Sequence, residues 1–271
     1  MSKKKIFIVF LIIIVSVSIV WIAFTVGKKP DQPKDYIQIE TSDVLNIVTD
    51  YNSVGYFVSG DTLAGFNHDL IQLLEKQISL KVNVVLEASL DKSIEGLRSG
   101  KYDILARNIP ITSELRNNLS FTEPVAQNRQ VLIQRNAKAN DGIEPLRSHL
   151  SLAKKTLYVP MNSPAILRIR NLSREIGDTI YVREDSIYGS EQLIMQVAAR
   201  DIDYAVCDEK IASKVASALT EIDYSTFIGF THLEAWAVSN QSPVLLDSLN
   251  IWIRKIKNTP DYDKIYNKYY K

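Results

Sequence analysis

Hydrophobic and polar positions divide the chain into one long apolar run and a mixed remainder. Lys3-Lys4-Lys5 lead into an uncharged stretch from Ile6 to Val26, closed by Gly27-Lys28-Lys29-Pro30. At 1.5 Å per helical residue, such a stretch reaches about 30 Å, the thickness of a bilayer's hydrocarbon core. A cleaved signal peptide has a shorter apolar region, typically about 7–15 residues, ending in small residues. Ser16-Val-Ser18 has that character, yet Ile19-Val20-Trp21-Ile22 carries the apolar run past it. The pattern therefore predicts a retained transmembrane signal anchor over 6–27, with a cytoplasmic tail at 1–5. Lysines on both flanks give only a mild charge bias toward that orientation. Residues 28–42, polar and interrupted by Pro30 and Pro33, read as a linker.

Beyond the linker, short β-rich runs alternate with helical periodicity. Leu45–Thr49, Val82–Leu86 and Asp103–Ala106 read as strands, with helices over 66–77 and 90–99 between them; Gly100 follows the second helix. The order β-α-β-α-β marks a parallel sheet with right-handed crossovers. It recurs more loosely. Strands are expected at Val131–Gln134, Thr156–Val159, Thr179–Val182, Tyr204–Cys207 and Glu234–Val238, with helices near 164–175, 189–200, 208–219, 243–257 and 261–270. Two α/β units imply two lobes, one from 43–134 and 235–271, the other from 135–234. Open α/β sheets gather ligands at the carboxyl ends of their strands, which directs attention to the residues just past each strand.

Composition narrows the classes of function. Lys+Arg 32 against Asp+Glu 31 gives a net charge of +1, which does not suit a nucleic-acid binder. Without Lys3 to Lys5 the remainder is mildly acidic. The single cysteine, Cys207, makes no internal disulfide. The histidines at 68, 149 and 232 lack metal-ligand spacing, so no metal site and no cofactor are expected. Neither a phosphate-cradling P-loop nor a Gly-x-Ser-x-Gly elbow occurs, and no catalytic residue is assigned.

Past the first strand come Asp50 and the loop aromatics Tyr51, Tyr56 and Phe57. Past the third come Arg107 and Asn108, then Thr112 as a helix N-cap ahead of Arg116. A helix start at a crevice suits an anion. Past Tyr204–Cys207 comes Asp208, readable as a cap or as a site acid.

In order along the chain stand Gly65-Phe-Asn-His-Asp-Leu70, Leu97-Arg-Ser-Gly-Lys-Tyr-Asp103, Ile111-Thr112 and Phe121-Thr-Glu-Pro124. Ser190-Glu-Gln-Leu-Ile-Met-Gln-Val197, Asp201-Ile-Asp-Tyr-Ala-Val-Cys-Asp208, Leu246–Asn250 and Ile265–Tyr270 follow. This series resembles the family 3 extracellular solute-binding proteins, receptors of polar amino-acid uptake, over about residues 43 to 271. Asn128–Arg135, Tyr188–Leu193 and Ala235–Val238 resemble the solute-binding-like regulatory domain of membrane-bound lytic transglycosylase F. That enzyme joins such a module to a lysozyme-like one, and nothing lysozyme-like follows these motifs before Lys271.

The resemblance implies a two-lobed periplasmic-binding-protein fold of type II. It implies an ammonium-binding acid at Asp208, an aromatic wall from Tyr51, Tyr56 and Phe57, and hydroxyl or N–H donors at Ser163 and Ser190. In family receptors, the arginine three residues past the threonine forks onto the ligand α-carboxylate. Here that position is Leu115, with Arg116 one place further and Arg107 as a substitute. Asn108 and Thr112 complete the expected ligand-binding set. Gly65, Asp69, Asp103 and the Phe121–Pro124 turn are structural in the family, and His68 reads as a surface residue.

The expectation is a non-enzymatic, single-pass receptor at the cell membrane, its domain on the periplasmic or extracellular side. It would close on a small polar solute, such as an amino acid, short peptide or cell-wall fragment, for transport or sensing. An ABC permease or another inner-membrane protein is its natural partner. The alternative is an enzyme on the same fold, related to lytic transglycosylase F and acting in peptidoglycan turnover.

Overall fold

The computed structural model describes residues 32–271. The expected anchor and tail lie outside the described residues, among which no helix is long and apolar enough to cross a membrane.

The first part of the chain forms α1 (Tyr36–Ser42), β1 (Val44–Thr49), β2 (Phe57–Ser59), β3 (Thr62–Ala64), α2 (Phe66–Glu75), β4 (Lys81–Leu86), α3 (Leu90–Arg98), β5 (Ile104–Pro110), α4 (Ser113–Arg116), β6 (Leu119–Phe121) and β7 (Ala126–Asn128). The second part forms β8 (Gln130–Arg135), β9 (Thr156–Pro160), α5 (Ala165–Ile176), β10 (Tyr181–Asp185), α6 (Ser190–Ala198), β11 (Ala205–Asp208), α7 (Glu209–Ala216) and β12 (Ile222–Phe227). The chain then returns through β13 (His232–Ser239), α8 (Pro243–Lys257) and α9 (Pro260–Tyr270).

Two sheets result. One runs β4-β1-β5-β13-β6, with β7 also on β13; the other runs β10-β9-β11-β8-β12. Within the first, β1 lies parallel to β4 and β5 and β13 antiparallel to β5. In the second, β9 lies parallel to β10 and β11, with β8 antiparallel to β11. The parallel cores have the expected β-α-β connectivity, and each sheet buries apolar residues on both faces.

Pairing moves both crossings between lobes a few residues ahead of the expected boundaries. β8 from Gln130 onward bonds to β11 and β12, so it belongs to the second sheet and not to 43–134. Likewise His232 already pairs with Asn128 in the first sheet, ahead of residue 235.

The linker expectation also needs correcting, because residues 36–42 are helical. Asp35 accepts from Tyr36 N at 2.8 Å in a capping box with Gln38, and Ile39 is fully buried. The same carboxylate accepts from Leu245 N at 2.7 Å and Val244 N at 3.2 Å, so it caps α8 too. Tyr36 packs edge-on against Trp252 of α8.

Gly65 positions the loop that follows β1. Its φ is 128°, and a Cβ there would lie 2.3 Å from the Gly55 carbonyl oxygen. Phe66 N and Asn67 N donate to Val54 O and Gly55 O, both at 2.8 Å, and lock loop to helix. Beneath it, the fully buried Trp236 donates its indole N–H to Asn67 Oδ1 at 2.9 Å.

Candidate functional site

The strands β1, β5, β9 and β11 deliver their carboxyl ends to one crevice between the lobes. Asp50, Asn52, Arg107, Asn108, Asn128, Gln130, Ser163, Ser190, Asp208, Lys210, Glu234 and Tyr270 supply its polar lining. Opposed residues bond directly across it. Glu191 Oε1, on the first turn of α6, accepts from Ser53 N at 2.9 Å and Ser53 Oγ at 3.1 Å. Asn162, just past β9, bonds to Asp91 on α3. The lobes are therefore described in a closed arrangement.

The floor is a polar chain. Asn108 on β5 donates to the Tyr270 hydroxyl, which donates to Glu234 Oε2 at 3.1 Å, while Asn128 Nδ2 donates to Glu234 Oε1 at 3.1 Å. Glu234 is 1% exposed, so its charge depends on these donors. Gln130 donates to Asp208 Oδ1. Burial, and next the charge of Glu234, push the Asp208 carboxyl up from its usual range to about 7. His232 Nε2 stands 3.7 Å from Glu234 Oε1. Burial alone would lower its pKa, but the nearby charge of Glu234, with Asp208 beyond, outweighs that and raises it, and Nε2 itself is left without a hydrogen-bond partner. The Tyr270 hydroxyl is pushed well up by burial and by Glu234. Asn108 Oδ1 is a buried acceptor without a hydrogen-bond partner.

Asp208, His232 and Glu234 each offer one donor atom, all within 4.8 Å of one another. Spacing along the sequence hid this cluster, since the fold and not a local motif brings His232 to Asp208.

Of the residues expected to bind ligand, Arg107, Asn108, Ser163, Ser190 and Asp208 meet in this crevice. Arg107 is engaged there by Asp50 Oδ2, 3.2 Å from its Nη2, and by Ala88 O, 3.2 Å from its Nη1. Thr112 lines an adjoining crevice that shares Ser163, and its hydroxyl accepts from Leu115 N at 3.2 Å. Arg116 is exposed and lies over Phe121, 6.0 Å from the ring centroid. The three aromatics do not gather at the cleft: Tyr51 is 59% exposed, Tyr56 packs edge-on to His68, and Phe57 meets Tyr269. Pairing explains their scatter, because Phe57 starts the β2–β3 hairpin and Tyr56 is held in a bridge with Asn52. His68, expected at the surface, is instead half-buried, its Nδ1 in hydrogen-bond contact with Asp69 Oδ1 at 2.8 Å.

Glu191, Glu234 and Tyr270 were not anticipated. Glu234 did leave a signal, a lone acid in the apolar run Leu233-Glu-Ala-Trp-Ala-Val238. Tyr270 closes the Ile265–Tyr270 motif, yet nothing there marks it as a site residue, since it lies 162 residues from the Asn108 that it touches.

Two α/β lobes closing over a polar crevice define the class of bilobal binding proteins. The solved ancestral amino acid-binding protein AncCDT-1, a precursor of cyclohexadienyl dehydratase, superposes with a TM-score of 0.74 at 22% identity, covering 87% of this chain and 99% of that one. An ancestral arginine-binding protein bound to arginine gives 0.73 at 21%, covering 84% and 99%. Residues 45–271 match the bacterial extracellular solute-binding proteins, family 3, and the chain belongs to that family. Among curated relatives, the membrane-bound lytic murein transglycosylase F of Desulfosudis oleivorans is 25% identical over 261 residues, 94% of this chain and 56% of the relative. That of Aeromonas hydrophila is 24% identical over 204 residues, 74% and 39%. The chain thus spans about half or less of the length of these two relatives.

Proposed function

We propose that the protein is a membrane-tethered, non-enzymatic receptor that closes its lobes on a small polar solute and holds an ammonium group of that solute on Asp208. The observation that carries this reading is the carboxylate of Asp208 beside buried Glu234, deep in a crevice that both lobes build. Two acids this close repel, and a bound cation relieves the repulsion. The apolar run from Ile6 to Val26 supports the tether, and the family's extracellular character supports a domain outside the cytoplasm. A structural neighbour at 19% identity and a TM-score of 0.72 is the substrate binding protein of an amino acid ABC transporter, which supports a permease as partner.

Thermal-shift and calorimetric titration of the 271-residue chain with polar amino acids, their amides, simple amines and muropeptides tests the reading. At least one of them is expected to bind, and Asp208→Asn to weaken it by about tenfold or more, the loss typical of a charged hydrogen bond. No heat or shift with any of them would sink it.

A second reading, an enzyme of peptidoglycan turnover, draws on one feature besides the relatives' name. A carboxyl that titrates near 7 beside a second carboxylate resembles a general acid. Release of soluble fragments from purified murein by wild type, abolished in Asp208→Asn, would favour it over the receptor.

A further inference from the structure

Taking the receptor reading as its basis, we infer that the crevice selects an organic cation without a free carboxylate: an amine, a guanidinium, or an amino acid whose carboxyl is blocked as an amide. Three independent features converge on this ligand class.

Donors suited to a carboxylate are already engaged or lie elsewhere. Arg107 is held by Asp50 and the Ala88 carbonyl. Arg116 sits outside the crevice against Phe121. Among the described residues lining the crevice, Arg107 is the one planar fork and both its Nη groups are already turned to first-lobe acceptors, while Lys210, the other cation there, is a point charge on a flexible stem.

An internal carboxylate already makes the contact between lobes. Glu191 reaches from the start of α6 to the backbone and hydroxyl of Ser53. Its charge at the crevice rim, beside Ser190, opposes a ligand carboxylate entering there.

Of the buried polar atoms without a partner, the one on a residue lining the crevice is an acceptor. Asn108 Oδ1 is buried without a donor, and Asp208 and Glu234 add carboxylates next to it. A buried acceptor without a partner costs about 1–3 kcal/mol, which a ligand N–H recovers and a ligand carboxylate cannot. With Asp50 paired to Arg107 and His232 behind Glu234, Asp208 is the crevice carboxylate left to face a ligand cation.

Calorimetry on the 271-residue chain at pH 7.5 compares L-lysine with L-lysinamide, L-arginine with L-argininamide, and both free acids with agmatine and cadaverine. Amides and amines are expected to bind about tenfold or more tightly than the matching free acids, the factor that one unpaired charged group commonly sets. Glu191→Gln is expected to narrow that gap by raising free-acid affinity more than amide affinity. A free acid that binds as tightly as its amide overturns the inference, as does tight free-acid binding that disappears in Lys210→Gln. If these cations all fail while a muropeptide or a neutral polar amino acid binds, the receptor stands and the inference falls. If every solute in the wider panel fails, the receptor reading falls and takes the inference with it.

Discussion

Asp208 links stability to pH with a definite sign, and on the proposed receptor reading links ligand binding to it as well. Its carboxyl titrates at about 7 in the fold and near 3.8 when unburied, so the folded chain holds a proton there that the unfolded chain has lost. Stability from this group is full below about pH 4 and is lost as pH rises toward 7. Asp208→Asn keeps an acceptor for Gln130 and removes the half-buried charge. Urea titration at pH 8 should therefore find the ligand-free variant more stable than wild type by about 2 kcal/mol, with the difference shrinking toward pH 4. A cationic ligand reverses the logic, because it needs the ionised carboxylate. Its affinity should rise with pH through 7, and calorimetry at pH 6 and pH 8 reads that directly. An affinity that falls over the same interval would remove Asp208 from the role of ammonium partner.

At the scale of elements, α1 and α8 depend on one side chain. Asp35 accepts from Tyr36 N at 2.8 Å and from Leu245 N at 2.7 Å, so removing it leaves donors at two helix starts at once. Asp35→Ala should cost about 1–3 kcal/mol in denaturant unfolding, above the usual single-cap loss, and Asp35→Asn less. A cost within a few tenths would mean that solvent caps one of the two helices. Sequence pattern served these elements unevenly. The strands beginning near 45, 82 and 156 and the closing helices were legible because local periodicity and Pro243 and Pro260 at helix starts mark them. Helix α1 was not, since Pro33 and polar neighbours mask a short helix that rests on α8, more than 200 residues away. The site divides in the same way. Asp208, which ends β11, and Arg107, which falls within β5 because that strand runs on to Pro110, could be read from position alone. Glu191 needs its partner Ser53, 138 residues away, before its role is visible, and the Tyr51–Phe57 aromatics were misplaced because a loop does not declare which way its rings turn.

Across the whole molecule, the two lobes meet at a clamped hinge. Arg129, between β7 and β8, donates to both Glu209 oxygens, at 2.9 Å from Nε and 2.6 Å from Nη2. Its guanidinium stacks 3.5 Å from the centre of the Phe227 ring, at the end of β12. The clamp ties the crossing strand to the second lobe, so rotation concentrates in the few residues ahead of it. Arg129→Ala should broaden the distribution of distances between spin labels placed on α3 and α5, while cation binding narrows it again. A width unchanged from wild type would place the pivot elsewhere. Tyr270 has a different consequence, one of timing. Its hydroxyl completes the floor under Asn108 and Glu234, yet it enters the fold only with the last turn of α9. A nascent chain can build both sheets and still lack that floor. A chain that ends a few residues early lacks the hydroxyl that Asn108 and Glu234 share, and leaves both of those buried polar groups short of a partner.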